Sequence, residues 1–272
     1  MTIPFKQLTA RRSASICMAL LGTAALANMV HAGDYNKSFV VANRANVRVD
    51  TNDGSVSITT GDTKQVEFHV EYQGYELNKN LTIESHQLGD EIELSARIPR
   101  WQFSLGTIRR LHIEVRMPKD GDLHVKTGDG SIKAGGLSGN IDLSTGDGTI
   151  EGSALDGKCD AVSGDGRIRL AGRFDVLRAK SGDGGIDVRA LHGSKLDASW
   201  SIGSGDGSID VALANDLPAD IEVSTGDGSI SSDIPITVEG SISKTRLRGK
   251  MNGGGQTLTI HTGDGSIHLR QA

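Results

Sequence analysis

The chain has 272 residues, a formal net charge of −5, 36 glycines and only 4% aromatic residues. A chain of this length can bury a large core and does not need a disulfide framework. The glycines follow no three-residue period, which excludes collagen, and the acidic balance argues against a nucleic-acid-binding protein that neutralises phosphates. Few aromatic residues and many glycines indicate a fold of short strands and turns.

Residues 1–32 have the order of a secretory signal peptide. Lys6, Arg11 and Arg12 form a basic start, an apolar run spans residues 13–27, and Val30-His31-Ala32 ends in a small residue at the expected cleavage position. The apolar run is short for a membrane span, although a buried N-terminal helix remains an alternative. We therefore expect cleavage after Ala32 and export to the periplasm or beyond, with no transmembrane segment in the mature chain.

One six-residue pattern dominates the rest of the chain: Ser or Thr, then Gly-Asp-Gly, any residue, and Ile. It occurs seven times, at intervals of 18, 18, 18, 23, 21 and 37 residues, and a looser copy lies at residues 51–56. Such self-similarity is typical of repeat architectures, in which each copy forms one stacked unit. The central aspartates are Asp129, Asp147, Asp165, Asp183, Asp206, Asp227 and Asp264.

Apolar and polar residues alternate on the approach to each motif, which predicts a β-strand. In the first copy Leu123 and Val125 flank His124, and Ile132 follows the motif. Counted within each repeat, the positions expected to point inward are odd before the motif and even after it. A continuous strand would keep one parity, so Gly-Asp-Gly must change which side chains point inward, as a corner between two strands does. We expect the glycines to supply the positive φ angles of such a corner.

The repeat length predicts the architecture. Eighteen residues of extended chain make a loop of roughly 60 Å, which suits one coil of a parallel β-solenoid with coils about 4.8 Å apart. The fold class we predict is all-β, a parallel β-solenoid over residues 121–272 with coils of about 18 residues. Residues 33–120 alternate less regularly and should form a β N-terminal cap, so that 33–272 is one continuous domain. A β-sandwich or an antiparallel meander is the alternative.

The two longer intervals, 184–206 and 228–264, are expected to hold insertions. Isoleucines after the corners should stack on one another and bury a continuous core. Trp200 and Cys159 occupy the inward position that Leu123 holds in the first copy, so we interpret both as core residues.

At this point the chain resembles a known family. The segment 111–118, followed by Leu123-His124-Val125-Lys126-Thr127-Gly128-Asp129-Gly130, is similar to that family's first repeat, and the segment 247–255, followed by 258–267, is similar to its last. The family is the bacterial putative-adhesin group, a DUF4097-like domain, and the resemblance covers roughly residues 40–270. It implies the fold and supplies no catalytic residues.

The seven motif aspartates form the most prominent candidate site. Stacked carboxylates repel one another, and a Ca²⁺ ion with its preference for oxygen ligands would relieve that repulsion. The structural alternative is that each carboxylate caps backbone N–H groups in its own corner, and we favour it because the known Ca²⁺-binding nonapeptide repeat is absent. The motif Ser and Thr hydroxyls should likewise satisfy corner backbone groups. We predict no metal site and no cofactor.

One local cluster combines basic and aromatic residues. Trp101 could stack on a sugar while an arginine holds an acidic group, or Trp101 and Phe103 could cap the end of the solenoid, which we favour. The eight histidines show no metal-ligand spacing, and His112, His124, His261 and His268 are expected to point outward. The candidate ligand contacts are Arg97, Arg100, Trp101, Arg109 and Arg110.

Two function classes remain. The first is an exported, non-enzymatic adhesin-like or cell-envelope scaffold protein, whose partners would be envelope components or glycans. The second is a glycan-binding or glycan-active β-helix protein, since some parallel β-helices cleave acidic polysaccharides. A catalytic serine would need a histidine base and a third orienting group, and the seven motif Ser and Thr residues have no matching series of histidines. We therefore favour the first class and no enzymatic activity.

Overall fold

The structure is a computed structural model that describes residues 32–99, 109–238 and 243–272. Its first nine strands are β1 (Ala32–Val40), β2 (Ala45–Thr51), β3 (Ser55–Gly61), β4 (Gln65–Gln73), β5 (Thr82–Leu88), β6 (Glu91–Arg97), β7 (Arg110–Pro118), β8 (Gly121–Lys126) and β9 (Ile132–Gly135). The others are β10 (Ser138–Thr145), β11 (Ile150–Ser163), β12 (Ile168–Ser181), β13 (Ile186–Ala190), β14 (Trp200–Ser204), β15 (Ile209–Leu213), β16 (Ala219–Thr225), β17 (Ile230–Ser232), β18 (Thr237–Val238), β19 (Arg246–Met251), β20 (Thr257–Thr262) and β21 (Ile267–Gln271).

The strands form two faces joined by the Gly-Asp-Gly corners. The strand segments before the corners make the first sheet, in the order β5-β6-β2-β8-β10-β11-β12-β14-β20-β16-β19-β18. The segments after the corners make the second sheet, in the order β1-β4-β7-β3-β9-β11-β12-β13-β15-β21-β17. The long strands β11 and β12 contribute to both sheets. The repeat strands pair with one another in parallel, so the predicted solenoid is confirmed and the antiparallel alternatives are wrong.

The hydrophobic core lies between the two sheets and follows the predicted register. The residues six and four positions before each motif Asp are buried, including Cys159 and Trp200. The isoleucines after the corners are also buried, except Ile230, which is only partly buried. Ile230 lies in β17, at the edge of the second sheet, where it has a neighbouring strand on one side only.

The strands predicted in residues 33–120 are present as β2, β4, β5, β6 and β7. Strands β2 and β3 pair in parallel with β8 and β9, so the looser motif copy at residues 51–56 stacks directly on the first full copy. The outermost strands on this side, β1, β4 and β5, pair antiparallel with their neighbours. Among the described residues, no helix has the length and apolar character needed to cross a membrane.

The order of the coils departs from the order of the sequence. We number the coils 1 to 7 by their motif aspartates, from Asp129 in coil 1 to Asp264 in coil 7. Coils 1 to 5 stack in sequence order, but coil 7 lies between coils 5 and 6: β20 pairs with both β14 and β16, and β21 with both β15 and β17. The long interval before coil 7 holds β18 and β19, which extend the first sheet beyond coil 6.

The motif glycines are needed for a different reason from the one we expected. None of them has a positive φ angle in the left-handed region, so that prediction is wrong. Instead the corners stack so closely that a side chain has no room. A Cβ atom on Gly166 would lie 1.8 Å from the carbonyl oxygen of Gly148 in the previous coil, and one on Gly164 would lie 2.6 Å from that of Gly146.

Candidate functional site: the corner ladder and two clefts on the second sheet

The Ser or Thr of each motif lies buried at the corner and connects two coils. The Ser163 hydroxyl oxygen accepts a hydrogen bond from the backbone N–H of Gly166, 3.0 Å away in its own corner. The same hydroxyl donates to the carbonyl oxygen of Gly148 in the previous coil, also at 3.0 Å. The other motifs repeat this arrangement, which is why a small hydroxyl residue precedes every Gly-Asp-Gly.

Backbone groups satisfy the rest of each corner. The N–H groups of Gly164 and Asp165 both donate to the carbonyl oxygen of Gly146, at 2.6 and 3.1 Å. The Asp165 side chain is exposed, as are those of the other six motif aspartates. Within the described residues, none of these seven carboxylates has a hydrogen-bonding partner, so the prediction that they cap corner N–H groups is wrong. The hydroxyls occupy that role.

The seven aspartates therefore form an exposed row of carboxylates along one edge of the solenoid. In the described parts of the chain, no three His, Cys, Asp or Glu side chains are grouped closely enough to hold a metal ion. The row of carboxylates thus contributes negative charge along this edge. In the looser copy, by contrast, an Asp53 carboxylate oxygen does accept a hydrogen bond from the next residue, Gly54, at 2.6 Å.

The structure distributes the predicted basic-aromatic cluster over both sheets. Arg97 ends β6 in the first sheet and pairs with Asp50 at 2.7 Å. Arg110 begins β7 in the second sheet, opposite Gln73. Arg100, Trp101 and Phe103 lie outside the described residues.

Arg109 lies beside the buried Tyr75, with its guanidinium carbon 5.4 Å from the centre of the ring. Burial raises the pKa of the Tyr75 phenol, and the nearby Asp53 carboxylate raises it further, while Arg109 opposes the rise. Tyr75 is therefore neutral at physiological pH, and its contact with Arg109 is a cation–π contact at the end of the core.

Two open clefts lie side by side on the outer face of the second sheet, over β1, β4 and β7. Their volumes are about 510 and 520 Å³, and both are lined by His69. The His69 imidazole hydrogen-bonds to the side-chain oxygen of Asn36 at 2.5 Å and to Glu71 at 3.2 Å. The first cleft also has Lys37, Glu67, Glu114 and Arg116 in its walls, and the second has Asp34, Glu71, Tyr72 and Arg110.

These clefts bring together residues that the sequence analysis did not combine, apart from Arg110. Antiparallel pairing places His69 opposite Glu114 and Glu71 opposite His112, although the paired residues are far apart in the chain. The alternation of polar residues in β4 and β7 was visible in the sequence. The pairing between the two strands was not, because hairpin and crossover connections cannot be told apart from alternation alone.

The same face carries a hydroxyl–imidazole–carboxylate chain that the sequence pattern did not predict. The Ser55 hydroxyl lies 2.7 Å from Nδ1 of His112, and Nε2 of His112 lies 3.4 Å from Glu114. Neither Ser55 nor His112 lines either cleft, so a bound molecule in the clefts would not meet the hydroxyl. Ser55 and His112 form a cross-strand pair between β3 and β7, and Glu114, the third group, lines the first cleft.

Along the stack, outward side chains form rows of opposite charge. Glu151 contacts Lys133 at 3.2 Å and Arg169 at 3.1 Å, each one coil away. Lys133, followed by Arg169, lowers the pKa of the Glu151 carboxyl. These groups are exposed, so each pair adds little stability by itself, but repeated pairs of this kind favour one alignment of the coils over others.

Two of the buried side chains at the inward positions, Trp200 and Cys159, carry polar groups that are enclosed in the core. Trp200 packs edge-on against Phe174 and donates from its ring nitrogen to the carbonyl oxygen of Asp175 at 3.3 Å. Burial raises the pKa of the Cys159 thiol to about 12, so this thiol stays protonated and unreactive at neutral pH.

Comparison with known proteins gives a family and a set of similar folds. No curated protein is similar enough to the chain to count as a match. A solved structure described as a putative cell adhesion protein from Clostridium sporogenes is 15% identical, with 88% of this chain and 100% of that chain covered and a TM-score of 0.42. A putative adhesin from Bacteroides fragilis is 14% identical, with 87% and 97% covered and a TM-score of 0.47.

A third solved structure, described as a putative lipid binding protein from Parabacteroides distasonis, is 12% identical, with 87% and 96% covered and a TM-score of 0.41. At these identities and TM-scores the likenesses define neither a ligand nor a partner for this chain. Residues 137–270 match the family model described as Toastrack DUF4097, in agreement with the resemblance found in the repeats. Over residues 137–270, the chain is therefore similar to the Toastrack DUF4097 family.

Proposed function

We propose that the chain is an exported, non-enzymatic, adhesin-like protein that binds a hydroxyl-rich glycan of the cell envelope at the two clefts beside His69. Export follows from the signal-peptide pattern of residues 1–32. In this proposal residues 33–272 act as one rigid body, with residues 33–120 as the β cap that carries the binding face. The clefts are the observation on which the proposal depends.

The chemistry of the cleft walls supports a glycan. Carboxylates accept hydrogen bonds, guanidinium groups donate them, and sugar hydroxyls do both, so walls that mix the two match a saccharide. Tyr72, half-buried against the core, also lines the second cleft and adds an aromatic side chain with a polar end. An open cleft on a rigid sheet suits an extended polymer better than a small molecule, which pockets usually enclose.

The charge of the walls favours a neutral glycan over an acidic one. Four carboxylates line the clefts, from Asp34, Glu67, Glu71 and Glu114, against the three basic side chains of Lys37, Arg110 and Arg116. An acidic polysaccharide would meet a net negative surface here and along the row of motif aspartates. Cleavage of an acidic polysaccharide, one form of the glycan-active alternative, would have to bring its substrate to this negative surface.

A binding assay with isolated envelope polysaccharides tests the proposal. His69→Ala should weaken binding to a neutral glycan by about tenfold, equivalent to roughly 1.4 kcal/mol. His124→Ala is the matched control, because His124 also pairs with a carboxylate on an outer face but lies in the first sheet, away from both clefts. No reducing or unsaturated ends should be released. Binding unaffected by His69→Ala, or release of sugar ends, would overturn the proposal.

A further inference from the structure

The position of coil 7 has a consequence for association between copies of the chain. Coil 7 consists of β20 and β21, the last two strands, and it is inserted between coils 5 and 6. The backbone N–H of Gly263 donates to Gly205 of coil 5 at 2.6 Å, and the N–H of Gly226 in coil 6 donates to Gly263 at 2.7 Å. Removing coil 7 would leave a gap one coil wide in both sheets.

The gap is specific for coil 7 in two ways. The side chains of Leu258, Ile260, Ile267 and Leu269 fill the core there and are fully buried. On the outer face, His268 lies between two carboxylates. It is 3.4 Å from Asp210 of coil 5 and 2.9 Å from Asp233, the residue that follows β17 of coil 6 in the chain. A segment that fills the gap must therefore carry apolar side chains at the four inward positions and a basic or polar side chain at the position of His268.

A short segment joins coil 7 to the strand that precedes it, β19. Residues 252–256 cross over the start of β16, because β19 and β20 lie on opposite sides of that strand, roughly 10 Å apart. Asn252, Gly253 and Gly254 have φ angles of 51°, 90° and 83°, a conformation that side chains rarely adopt. A Cβ atom on Gly254 would lie 2.4 Å from the Asp220 carboxylate. The left-handed conformation is costly at Asn252 alone, because glycine adopts it freely, and Gly253 and Gly254 therefore make this tight crossing possible.

We propose that the gap between coils 5 and 6 is an interaction site for a second copy of this chain, which inserts its own coil 7 there. The inserted coil would make every contact that the chain's own coil 7 makes, so exchange costs no buried contacts. An exchanged segment 252–256 would extend, which releases Asn252 from its left-handed φ of 51° and gives up the hydrogen bonds of its side chain to Asn215 and Leu217. Two copies that exchange coils form a closed pair, independently of the glycan proposal.

Disulfide trapping between two populations of the full chain tests this inference. Both populations carry Cys17→Ser and Cys159→Ala. One adds Ser201→Cys in coil 5 and the other adds Thr259→Cys in coil 7, because these residues are register partners in neighbouring strands. The populations are unfolded, mixed, refolded together at high concentration and oxidised. Exchange joins the two variants covalently as a heterodimer.

A second pair of populations is the matched control. Asp160→Cys and Arg178→Cys are also register partners, but they lie in internal coils that cannot exchange alone. We expect severalfold more covalent heterodimer from the 201/259 pair than from this control. Equal yields from the two pairs, or no heterodimer from either, would overturn the inference.

A glycine substitution in the crossing provides an independent measurement. Gly254→Val should raise the dimer fraction severalfold, because valine disfavours the crossing and favours extended chain. Gly89→Val is the control: Gly89 has a φ of 63° in the turn between β5 and β6, where no atom lies within 4 Å of its Cβ position. It should destabilise the monomer without producing dimer. A Gly254→Val protein that folds and stays monomeric would contradict exchange.

Discussion

The hydroxyl oxygen of Ser163 lies 3.0 Å from the backbone nitrogen of Gly166 and accepts its hydrogen bond, across a corner whose aspartate points into solvent. The hydroxyl also donates to Gly148 in the previous coil. One buried oxygen thus closes its own corner and attaches that corner to the previous coil. The repeated Ser or Thr is therefore the structural residue of the motif, and the repeated Asp is its exposed residue.

This assignment predicts a contrast between two neighbouring substitutions. Ser163→Ala should lower the free energy of unfolding by about 1–3 kcal/mol, because it leaves the buried Gly166 N–H and Gly148 carbonyl without their partner. Asp165→Ala should change it by less than about 0.5 kcal/mol. Denaturant unfolding followed by circular dichroism measures both. If Asp165→Ala lowered the free energy of unfolding as much as Ser163→Ala, the aspartate would contribute as much as the hydroxyl to the stability of the corner.

Close stacking of the corners predicts a strong effect of one added methyl group. Gly166→Ala places a Cβ atom 1.8 Å from a backbone oxygen, so coils 2 and 3 must separate locally. We expect a loss of about 3 kcal/mol or more, beyond the usual range for overpacking. Gly203→Ala is the control, since its Cβ atom would have its nearest neighbour at 3.7 Å. Thermal unfolding of the two variants distinguishes them, and equal midpoints would show that the corners can spread apart.

The core register predicts a second contrast. Ile168 is fully buried between the sheets, and an unpaired charge there costs several kcal/mol, so Ile168→Asp should prevent stable folding. Ser229 is exposed at the coil 6 corner, so Ser229→Asp should be mild. Comparable unfolding midpoints would mean that one of the two side chains points the other way.

Cys159 gives a prediction for alkaline pH. Burial raises the pKa of its thiol from 9.0 to about 12, so the unfolded chain loses the proton at lower pH than the folded chain. The associated stability is present below pH 9 and is lost as the pH rises from 9 toward 12, by at most about 1.4 kcal/mol per pH unit. Cys159→Ala should remove that part of the slope.

Unfolding of both proteins at several pH values between 9.0 and about 12, the range set by the two pKa values, provides the measurement. In the same conditions, alkylation of the native Cys159 should be limited by unfolding. Parallel slopes for the two proteins, or rapid alkylation of the folded chain at neutral pH, would show that the thiol is accessible to solvent.

The clefts show why part of the site escaped prediction. The sequence alternates along both β4 and β7, but the pairing of His69 with Glu114 depends on which strands pair and in which direction. The aspartate row was found readily because its spacing is regular. The capping role predicted for the aspartates was wrong because two groups in each motif, a hydroxyl and a carboxylate, could each accept a hydrogen bond from the corner N–H. Only the positions of the two side chains in the structure show that the hydroxyl accepts it.

The amino-acid sequence by itself determined the solenoid: the motif spacing gave the coil length, the alternation gave the inward residues, and the parity change gave the corner. The order of the coils was decided by the tertiary structure alone. Coils 5, 6 and 7 share the corner sequence Gly-Asp-Gly-Ser-Ile, at residues 205–209, 226–230 and 263–267, so any of them can stack on any other. The antiparallel pairing of β19 with β16, the glycine-rich crossing at 252–256 and the contacts of His268 with Asp210 and Asp233 place coil 7 between the other two. These are contacts between distant segments, which a local pattern does not encode.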